Sequence, residues 1–288
     1  MQPNQTLRAI SPATAPEQAE RERAALRDFI ERHERLVVLT GAGCSTESGI
    51  PDYRDAAGSW KRAQPIMLQA FMGDPHARRR YWARSLIGWP RFRRARPNAA
   101  HFALAHLERV GSIELLVTQN VDRLHQAAGS EAVVDLHGRL DQVRCMDCEQ
   151  LTDREAFQAE LLSRNAEWAD LAAGEAPDGD ADLDGRDFTG FDVPHCPACG
   201  GIVKPHVVFF GESVPPQRVE SAMHALARAD ALLVVGSSLM VYSGYRFAEA
   251  AVRAGLPIAA VNLGRTRADD LLALKVEAPC ARALAALI

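Results

Sequence analysis

An apolar run ends directly in a glycine-rich turn near the start of the chain. Residues 36–39 read LVVL, and residues 41–54 read GAGCSTESGIPDYR. Gly41, Gly43 and Gly49 let the backbone approach a pyrophosphate, whose charge the amide groups at the next helix start can hold. The spacing is not the GxGxxG of dehydrogenases, and a glycine turn is often a simple connection. The turn therefore suggests a dinucleotide site without establishing one.

Helical and strand patterns alternate along the chain. We predict helices at 17–33, from Pro97 and Asn98 to Gly111, at 216–229 and at 244–254. We predict strands at 36–40, 113–117, 132–136, 202–209, 231–235 and 257–262. Such alternation is typical of an α/β fold with a doubly wound parallel sheet, in which ligands bind at the carboxyl ends of the strands.

Composition narrows the class of protein. The chain has 288 residues, of which 47% are apolar, enough for one large core or for one core with an appended module. Its 33 basic and 37 acidic residues give a net charge of −4 and no general attraction to nucleic acid or anionic membranes. We expect a soluble, intracellular protein, because residues 1–16 lack the apolar core of a secretory signal and no stretch is long enough to span a membrane. Residues 1–16 are expected to be disordered.

Four of the six cysteines form two CxxC pairs. Cys145 and Cys148 make the first pair, and Cys196 and Cys199 the second. Two such turns can complete a tetrahedron around Zn²⁺, and a shell of four sulfurs is closed, so the predicted role is structural. An iron site or redox dithiols are the alternatives.

Polar or glycine motifs follow the predicted strands. TQNVDRLH stands at 118–125, LHG at 136–138, GSS at 236–238 and NLG at 262–264. A structural α/β protein also has turns at these places, but it has little reason to place Gln119, Asn120, Asp122 and His137 there together. The pattern favours a ligand site.

The chain resembles the sirtuin family through these motifs, the GAGCSTESGIPDYR turn, the CxxC pairs and KPHVVFFGE at 204–212. The resemblance covers about residues 24–288. It implies an NAD-dependent protein lysine deacylase with a Rossmann-like NAD-binding lobe at 17–140 and 204–288, including a helical segment at about 56–97. It also implies an inserted zinc-binding lobe at 141–203 and an active site in the cleft between the lobes.

The resemblance assigns roles to single residues. It implies His137 as the catalytic base, with Asn120 and Asp122 ordering the ribose and nicotinamide of NAD, and it implies structural Zn²⁺ on the four paired cysteines. Implied cofactor contacts are Gly41, Ala42, Gly43, Ser45, Gly49, Pro51, Asp52, Tyr53, Arg54, Gln119, Asn120, Val121, Asp122, Gly236, Ser237, Ser238, Asn262, Leu263, Gly264 and Cys280. Implied contacts to the acyl group or peptide are Tyr81, Arg84, Val207, Phe209, Gly211 and Glu212.

The implied reaction needs no protein nucleophile. The acyl-lysine oxygen attacks the ribose carbon that bears nicotinamide, and an alkylimidate later gives O-acyl-ADP-ribose and free lysine. A neutral imidazole can take a proton from a ribose hydroxyl, since its ordinary pKa lies near ~6.5. Cys44 and Cys280 are then wall or contact residues.

Two segments resemble the class II branch of the family, namely RRRYWARSLIGWPRF at 78–92 and GEAPDGDADL at 174–183. Tyr81 and Arg84 have the Tyr-x-x-Arg spacing by which desuccinylase sirtuins bind acidic acyl chains, and a guanidinium suits that task. Preference for acidic, longer or lipoyl groups is one interpretation; a solvated arginine on a basic helix is the other. The acidic stretch is interpreted as a loop from the zinc module rather than a calcium site, because Phe191 stands where a calcium loop begun at Asp180 needs glutamate.

Two other functions compete with deacylation. A mono-ADP-ribosyltransferase would use the same cofactor, and a nucleotide sensor without catalysis would be expected to lack His137 or Asn120, both of which are present. The expected partners are acylated lysine side chains of proteins, with no nucleic acid or membrane. We expect a monomer, although a single sequence leaves the oligomeric state open, and we expect it in the cytoplasm of a bacterium, or in the mitochondrial matrix if the source is eukaryotic.

Overall fold

The computed structural model describes residues 15–55, 57–61, 65–169, 171, 174–175, 180–183 and 185–287. The strands are β1 (Leu36–Thr40), β2 (Ile113–Thr118), β3 (Val133–Asp135), β4 (Gly138–Cys145), β5 (Leu151–Asp153), β6 (Gly174–Glu175), β7 (Ala181–Asp182), β8 (Val203–Val207), β9 (Ala231–Val235), β10 (Ile258–Val261) and β11 (Leu274–Val276). The helices are α1 (Ala15–Glu31), α2 (Leu68–Gly73), α3 (Pro75–Phe92), α4 (Ala99–Arg109), α5 (Leu124–Ala127), α6 (Arg154–Arg164), α7 (Pro216–Leu226), α8 (Tyr242–Arg253) and α9 (Cys280–Leu284). Of the segment predicted to be disordered, residues 1–14 lie outside the described residues, whereas Ala15 and Pro16 begin α1.

A parallel sheet with the strand order β11-β10-β9-β1-β2-β3 confirms the predicted α/β class. All five residues of β1 are buried, because apolar clusters cover both faces of the sheet. The chain leaves β1 toward β2 on one side and later returns to β9 on the other. The glycine turn after β1 therefore lies at the point where the winding direction reverses, which is where such sheets bind ligands.

One predicted strand belongs to a different sheet. The segment predicted at 202–209 is β8, and it pairs antiparallel with β4 in the small sheet β5-β4-β8, so its placement in the parallel sheet was wrong. β4 starts directly after His137 and leads away to the cysteines, so the chain returns beside it in the opposite direction. The sixth parallel strand, β11, was missed because it is only three residues long.

The smaller lobe contains more than the four-cysteine segment. Phe71 of α2 and Trp82 of α3 share one apolar cluster with Phe157 of α6 and with Cys145 and Cys196. The helical segment that we grouped with the NAD lobe therefore packs on the cysteine module. The small sheet also extends from Gly138 to Val207, beyond both ends of the zinc lobe predicted at 141–203.

Local sequence explains where two key helices begin. Asp74 caps α3 by accepting a hydrogen bond from the amide of His76 at 2.8 Å, and Pro75 fits the first helical position. Asn98 caps α4, as its position before the apolar periodicity predicted. No helix among the described residues is long and apolar enough to cross a membrane.

Candidate active site

Two glycine turns interlock at the carboxyl ends of β1 and β9. The amide of Gly43 donates to the carbonyl of Gly236 at 2.8 Å. A Cβ on Gly236, whose φ is +64°, would lie 2.2 Å from the amide nitrogen of Cys44, and one on Gly41 would lie 2.8 Å from Cβ of Ser237. These glycines are thus required for contact between the two turns, a reason that the sequence did not reveal.

A buried polar network lies under the first turn. Ser45 donates to Oδ2 of Asp122 at 2.7 Å and accepts from Nδ2 of Asn120 at 3.1 Å. Asn120 also donates to the carbonyl of Gly41 at 3.1 Å. Burial raises the pKa of Asp122, and the hydrogen bond from Ser45 opposes that shift. Ser45, Asn120 and Asp122, which follow β1 and β2, are therefore linked by hydrogen bonds before any ligand binds.

Gln119 connects the neighbouring strand ends. Its Nε2 donates to Oγ of Ser237 at 2.7 Å, which places the GSS turn beside the TQNVD turn. At the end of β10, Asn262 donates to the carbonyls of Leu263 and Gly264, while the side chain of Leu263 is exposed. Val121 lies outside this polar group, in an apolar cluster with Trp89 and Leu140.

His137 lies beside this group, between Gln119 and α8. Its Nδ1 is 3.0 Å from the carbonyl of Gln119, and its Nε2 is 2.8 Å from Oγ of Ser243. Burial lowers the pKa of His137 to about 4; the cations of Arg218 and Arg246 act in the same direction, and the Gln119 bond acts against it. The imidazole is therefore neutral near pH 7, as a proton acceptor must be.

The loop after the first turn is held by its own contacts. Gly49 has a φ of +85° and ends the short 3₁₀ turn Thr46–Ser48. Asp52 forms an ion pair with Lys61, and the guanidinium of Arg54 stacks 3.9 Å from the centre of the Trp60 ring. The Tyr53 ring meets Trp60 edge to face at 6.1 Å. These contacts hold the half-buried rings of Tyr53 and Trp60 together in the loop after the first turn.

The residues expected to contact peptide or acyl group form a second loop. Glu212 accepts from the amide of Phe209 at 2.8 Å and from the buried ammonium of Lys204 at 2.9 Å. Gly211 has a φ of +79°. Phe209 is buried in an aromatic cluster, and Val207 packs against that cluster. Glu212 thus shapes the loop, a structural task that the motif alone did not indicate.

Tyr81 and Arg84 occupy different surroundings on α3. The Tyr81 ring contacts Phe71 and Phe209 at 5.5 and 5.3 Å between ring centres. Arg84 forms a two-point ion pair with Asp180, with both N–O distances at 2.9 Å. Asp180 comes from the acidic insertion, of which residues 176–179 and Asp184 lie outside the described residues.

The four paired cysteines converge. Their sulfur atoms lie within 4.8 Å of one another, with Cys145 3.5 Å from Cys199 and Cys148 3.6 Å from Cys196. Sulfurs bound to one zinc at about 2.3 Å lie about 3.8 Å apart in a tetrahedron. Amides of Asp147 and Cys148 also point at Cys145, as expected around a thiolate. The group fits a structural zinc ion and leaves no ligand position for chemistry.

Sequence reasoning missed four side chains around the site. Ser243 and Arg246 lie on α8, which begins two residues before the helix predicted at 244–254, so Arg246 falls inside that predicted helix and Ser243 just before it. His101 and His125 lie with Cys44 beneath the glycine turn, with one ligand-type atom of each within 4.8 Å of the others. Burial lowers the pKa of both histidines. His101 accepts from the amide of Asn98 at 3.2 Å, so it completes the cap of α4. Cys280 is also buried, 3.8 Å from the carbonyl of Val261.

The interlocked turns, the amide and hydroxyl side chains at the strand ends and the neutral histidine define a nucleotide-binding α/β protein with an appended four-cysteine lobe. The Sir2 family profile matches residues 41–243. The chain belongs to the Sir2 family.

Similar proteins support that assignment across nearly the whole chain. A protein of Xanthomonas campestris pv. campestris strain 8004, named NAD-dependent protein deacetylase, is 70% identical over 261 residues, covering 91% of this chain and 89% of the relative. A protein of the same name from Bordetella bronchiseptica is 67% identical over 264 residues, covering 92% and 96%.

Solved structures agree with the fold. A Sir2 structure with a deacetylated p53 peptide and 3′-O-acetyl-ADP-ribose has a TM-score of 0.75 at 33% identity, covering 92% of this chain and 96% of the other. A Sir2 structure with p53 peptide and NAD⁺ has a TM-score of 0.72 at 33% identity, covering 90% and 94%.

Proposed function

We infer that this chain is an NAD-dependent protein lysine deacetylase, and we propose that His137 is its general base. Relatives with 65–70% identity carry the name of that activity, and similar structures hold acetylated peptide, NAD⁺ or acetyl-ADP-ribose. The deacetylase reaction consumes NAD as a substrate. The activity therefore requires a site for the dinucleotide, and the interlocked turns with the neutral His137 beside them support the proposal that this chain provides one.

The two hydrogen bonds of the His137 ring support its role as the general base. A carbonyl oxygen can only accept, so the bond to Gln119 fixes the proton on Nδ1. The lone pair of the neutral ring then lies on Nε2, on the side of Ser243. A base must have this lone pair free of a proton, and the low pKa secures it near pH 7.

Other side chains would bind and orient NAD. Asn120 and Gln119 supply amides, Ser45 and Ser237 supply hydroxyls, and the interlocked glycine turns bring backbone close to a ligand without side chains between. The four cysteines would hold zinc away from the reaction. The geometry gives no reason to favour ADP-ribosyl transfer to a protein side chain over deacetylation.

Replacing His137 with alanine tests the proposal. We expect His137→Ala to lower turnover of an acetyl-lysine peptide at least about 100-fold, the usual worth of a general base. Binding of NAD, measured by calorimetry, should remain. His224→Ala on the exposed face of α7 is the matched control and should keep wild-type turnover. Wild-type turnover by His137→Ala would disprove the role of the base, and labelling of protein by ADP-ribose without acyl-lysine would disprove deacetylation.

A second proposal concerns which acyl group on lysine the enzyme prefers. We propose that Arg84 binds an acidic acyl chain only after its ion pair with Asp180 opens, because that pair already uses two guanidinium donors. Asp180→Asn should then raise turnover of glutaryl-peptide relative to acetyl-peptide, and Arg84→Ala should abolish that gain. An unchanged ratio in both variants would show that Arg84 does not select the acyl group. We also propose a monomer, which light scattering would test.

A further inference from the structure

Both ring nitrogens of His137 are occupied by fixed partners. Gln119 accepts from Nδ1, so the hydroxyl of Ser243 is the group that donates to the lone pair on Nε2, at 2.8 Å. A ring held at one nitrogen alone can still tilt about that bond. The second contact fixes the direction in which the lone pair points.

The first turn of α8 is built to bring Ser243 to this place. Ser243 is the second residue of the helix, and Gly244 follows it. A Cβ on Gly244 would lie 2.6 Å from Oε1 of Gln119, so glycine at this position lets α8 start close to the Gln119 side chain without displacing it. The same approach that packs Gly244 against Gln119 places the Ser243 hydroxyl on His137.

We propose that Ser243 is a positioning residue for His137, a proposal that rests on His137 being the general base. In the free enzyme Ser243 holds Nε2 in the orientation that the reaction uses. When the ribose hydroxyl binds, the hydrogen bond from Ser243 to Nε2 breaks, so the lone pair of Nε2 becomes available to the ribose proton. The ribose O–H bond then breaks, its proton moves to Nε2, and the electron pair stays on the ribose oxygen. The oxygen of Ser243 can then accept the new Nε2–H, because a hydroxyl both donates and accepts.

This role separates two steps of the reaction. Nicotinamide leaves when the acyl oxygen attacks, which requires no proton transfer to His137. The base acts afterwards on the ribose hydroxyl. Loss of Ser243 should therefore slow formation of free lysine and O-acetyl-ADP-ribose, while nicotinamide release and its reversal continue.

The experiment compares Ser243→Ala, Ser243→Thr, His137→Ala and a control, Ser221→Ala, whose hydroxyl lies on the exposed face of α7. Each variant is assayed with NAD and an acetyl-lysine peptide for product formation and for exchange of labelled nicotinamide into NAD. We expect Ser243→Ala to lower kcat for product about 10-fold, with KM for NAD within about twofold and exchange undiminished. Ser243→Thr, which retains the hydroxyl, should recover at least half of wild-type kcat, and Ser221→Ala should match wild type.

The outcomes distinguish the two proposals. Unchanged kcat in Ser243→Ala, or failure of Ser243→Thr to recover activity while its thermal midpoint matches wild type, would overturn the positioning role. So would a parallel fall in exchange and product formation, because a general structural defect affects both. If Ser243→Thr is destabilised, the split between exchange and product formation in Ser243→Ala decides alone. Turnover by His137→Ala would instead overturn the assignment of the base.

Discussion

The cofactor cleft and the four-cysteine lobe hold their loops by different means. At the cleft, two turns interlock through backbone contact, and Gly236 leaves no room for even a methyl group against Cys44. In the cysteine lobe, two turns approach each other through the side chains of four cysteines that one zinc ion would join. The first arrangement depends on the absence of side chains and the second on the presence of particular ones.

Because of this difference, the two regions should respond differently to loss of the metal and to replacement of glycines. The cleft is supported by the parallel sheet, whose apolar clusters cover both faces, so it should keep its form without a metal. The small lobe has one main apolar cluster of its own, and two of the cysteines are part of it. Its loops should need the metal, whereas the cleft should need its glycines.

Removal of a zinc ligand should have the largest effect. Cys145→Ser breaks a closed shell of four ligands, and structural zinc contributes roughly 10 kcal/mol or more in small zinc-binding peptides. We expect loss of bound zinc, a fall of several kcal/mol in the free energy of unfolding, and no turnover. Metal analysis and urea denaturation measure these changes. Asp147→Asn, which keeps all four sulfurs, is the control, and retention of one zinc with full stability by Cys145→Ser would contradict the prediction.

A methyl group at the interlocked turns should have the next largest effect. Gly236 and Gly255 both have positive φ, +64° and +71°, but only Gly236 has backbone within 4 Å of an added Cβ. Gly255→Ala should cost about 1–2 kcal/mol of backbone strain, and Gly236→Ala should cost more and also weaken NAD binding. Urea denaturation and calorimetry with NAD test the pair. Equal losses in both variants would show that the close approach does not matter.

Loss of the Ser45 hydroxyl should have a smaller effect, confined to the cleft. Ser45→Ala removes a donor from the buried carboxylate of Asp122 and an acceptor from Asn120. A missing partner for a buried polar group costs about 1–3 kcal/mol, and the same loss in NAD binding would raise KM for NAD by about 5- to 150-fold. Ser221→Ala, which removes an exposed hydroxyl on α7, is the control. Similar KM values in the two variants would contradict the network.

The same contrast explains what the sequence could predict. The cysteine ligands and the strand-end motifs are local patterns, so the zinc group and the residues of the cleft could be named from sequence. Ser243 carries no local signal, because its role depends on α8 packing against Gln119, which lies more than 100 residues earlier in the chain. The antiparallel pairing of β8 was missed for a similar reason, since an apolar run does not reveal which strand lies beside it.

The charge of Arg246 should have the smallest effect, visible only in the pH dependence. Burial is the main cause of the low pKa of His137, and the cations of Arg218 and Arg246 add to it. Nε of Arg246 is buried without a hydrogen-bond partner among the described residues, and its guanidinium lies 5.3 Å from the centre of the Tyr242 ring.

Removing that cation in Arg246→Gln makes the protonated imidazole less unfavourable, so the pKa of His137 rises from about 4. The lone pair on Nε2 is available only above this pKa. The acid limb of the pH profile of kcat/KM should therefore move to higher pH. The shift should be less than about one pH unit, because the burial of His137 is unchanged. Arg253→Gln, at the exposed end of the same helix, should leave the limb unchanged. A limb that stays in place or moves to lower pH in Arg246→Gln would show that this charge does not act on His137, and that burial and Arg218 keep the base neutral without it.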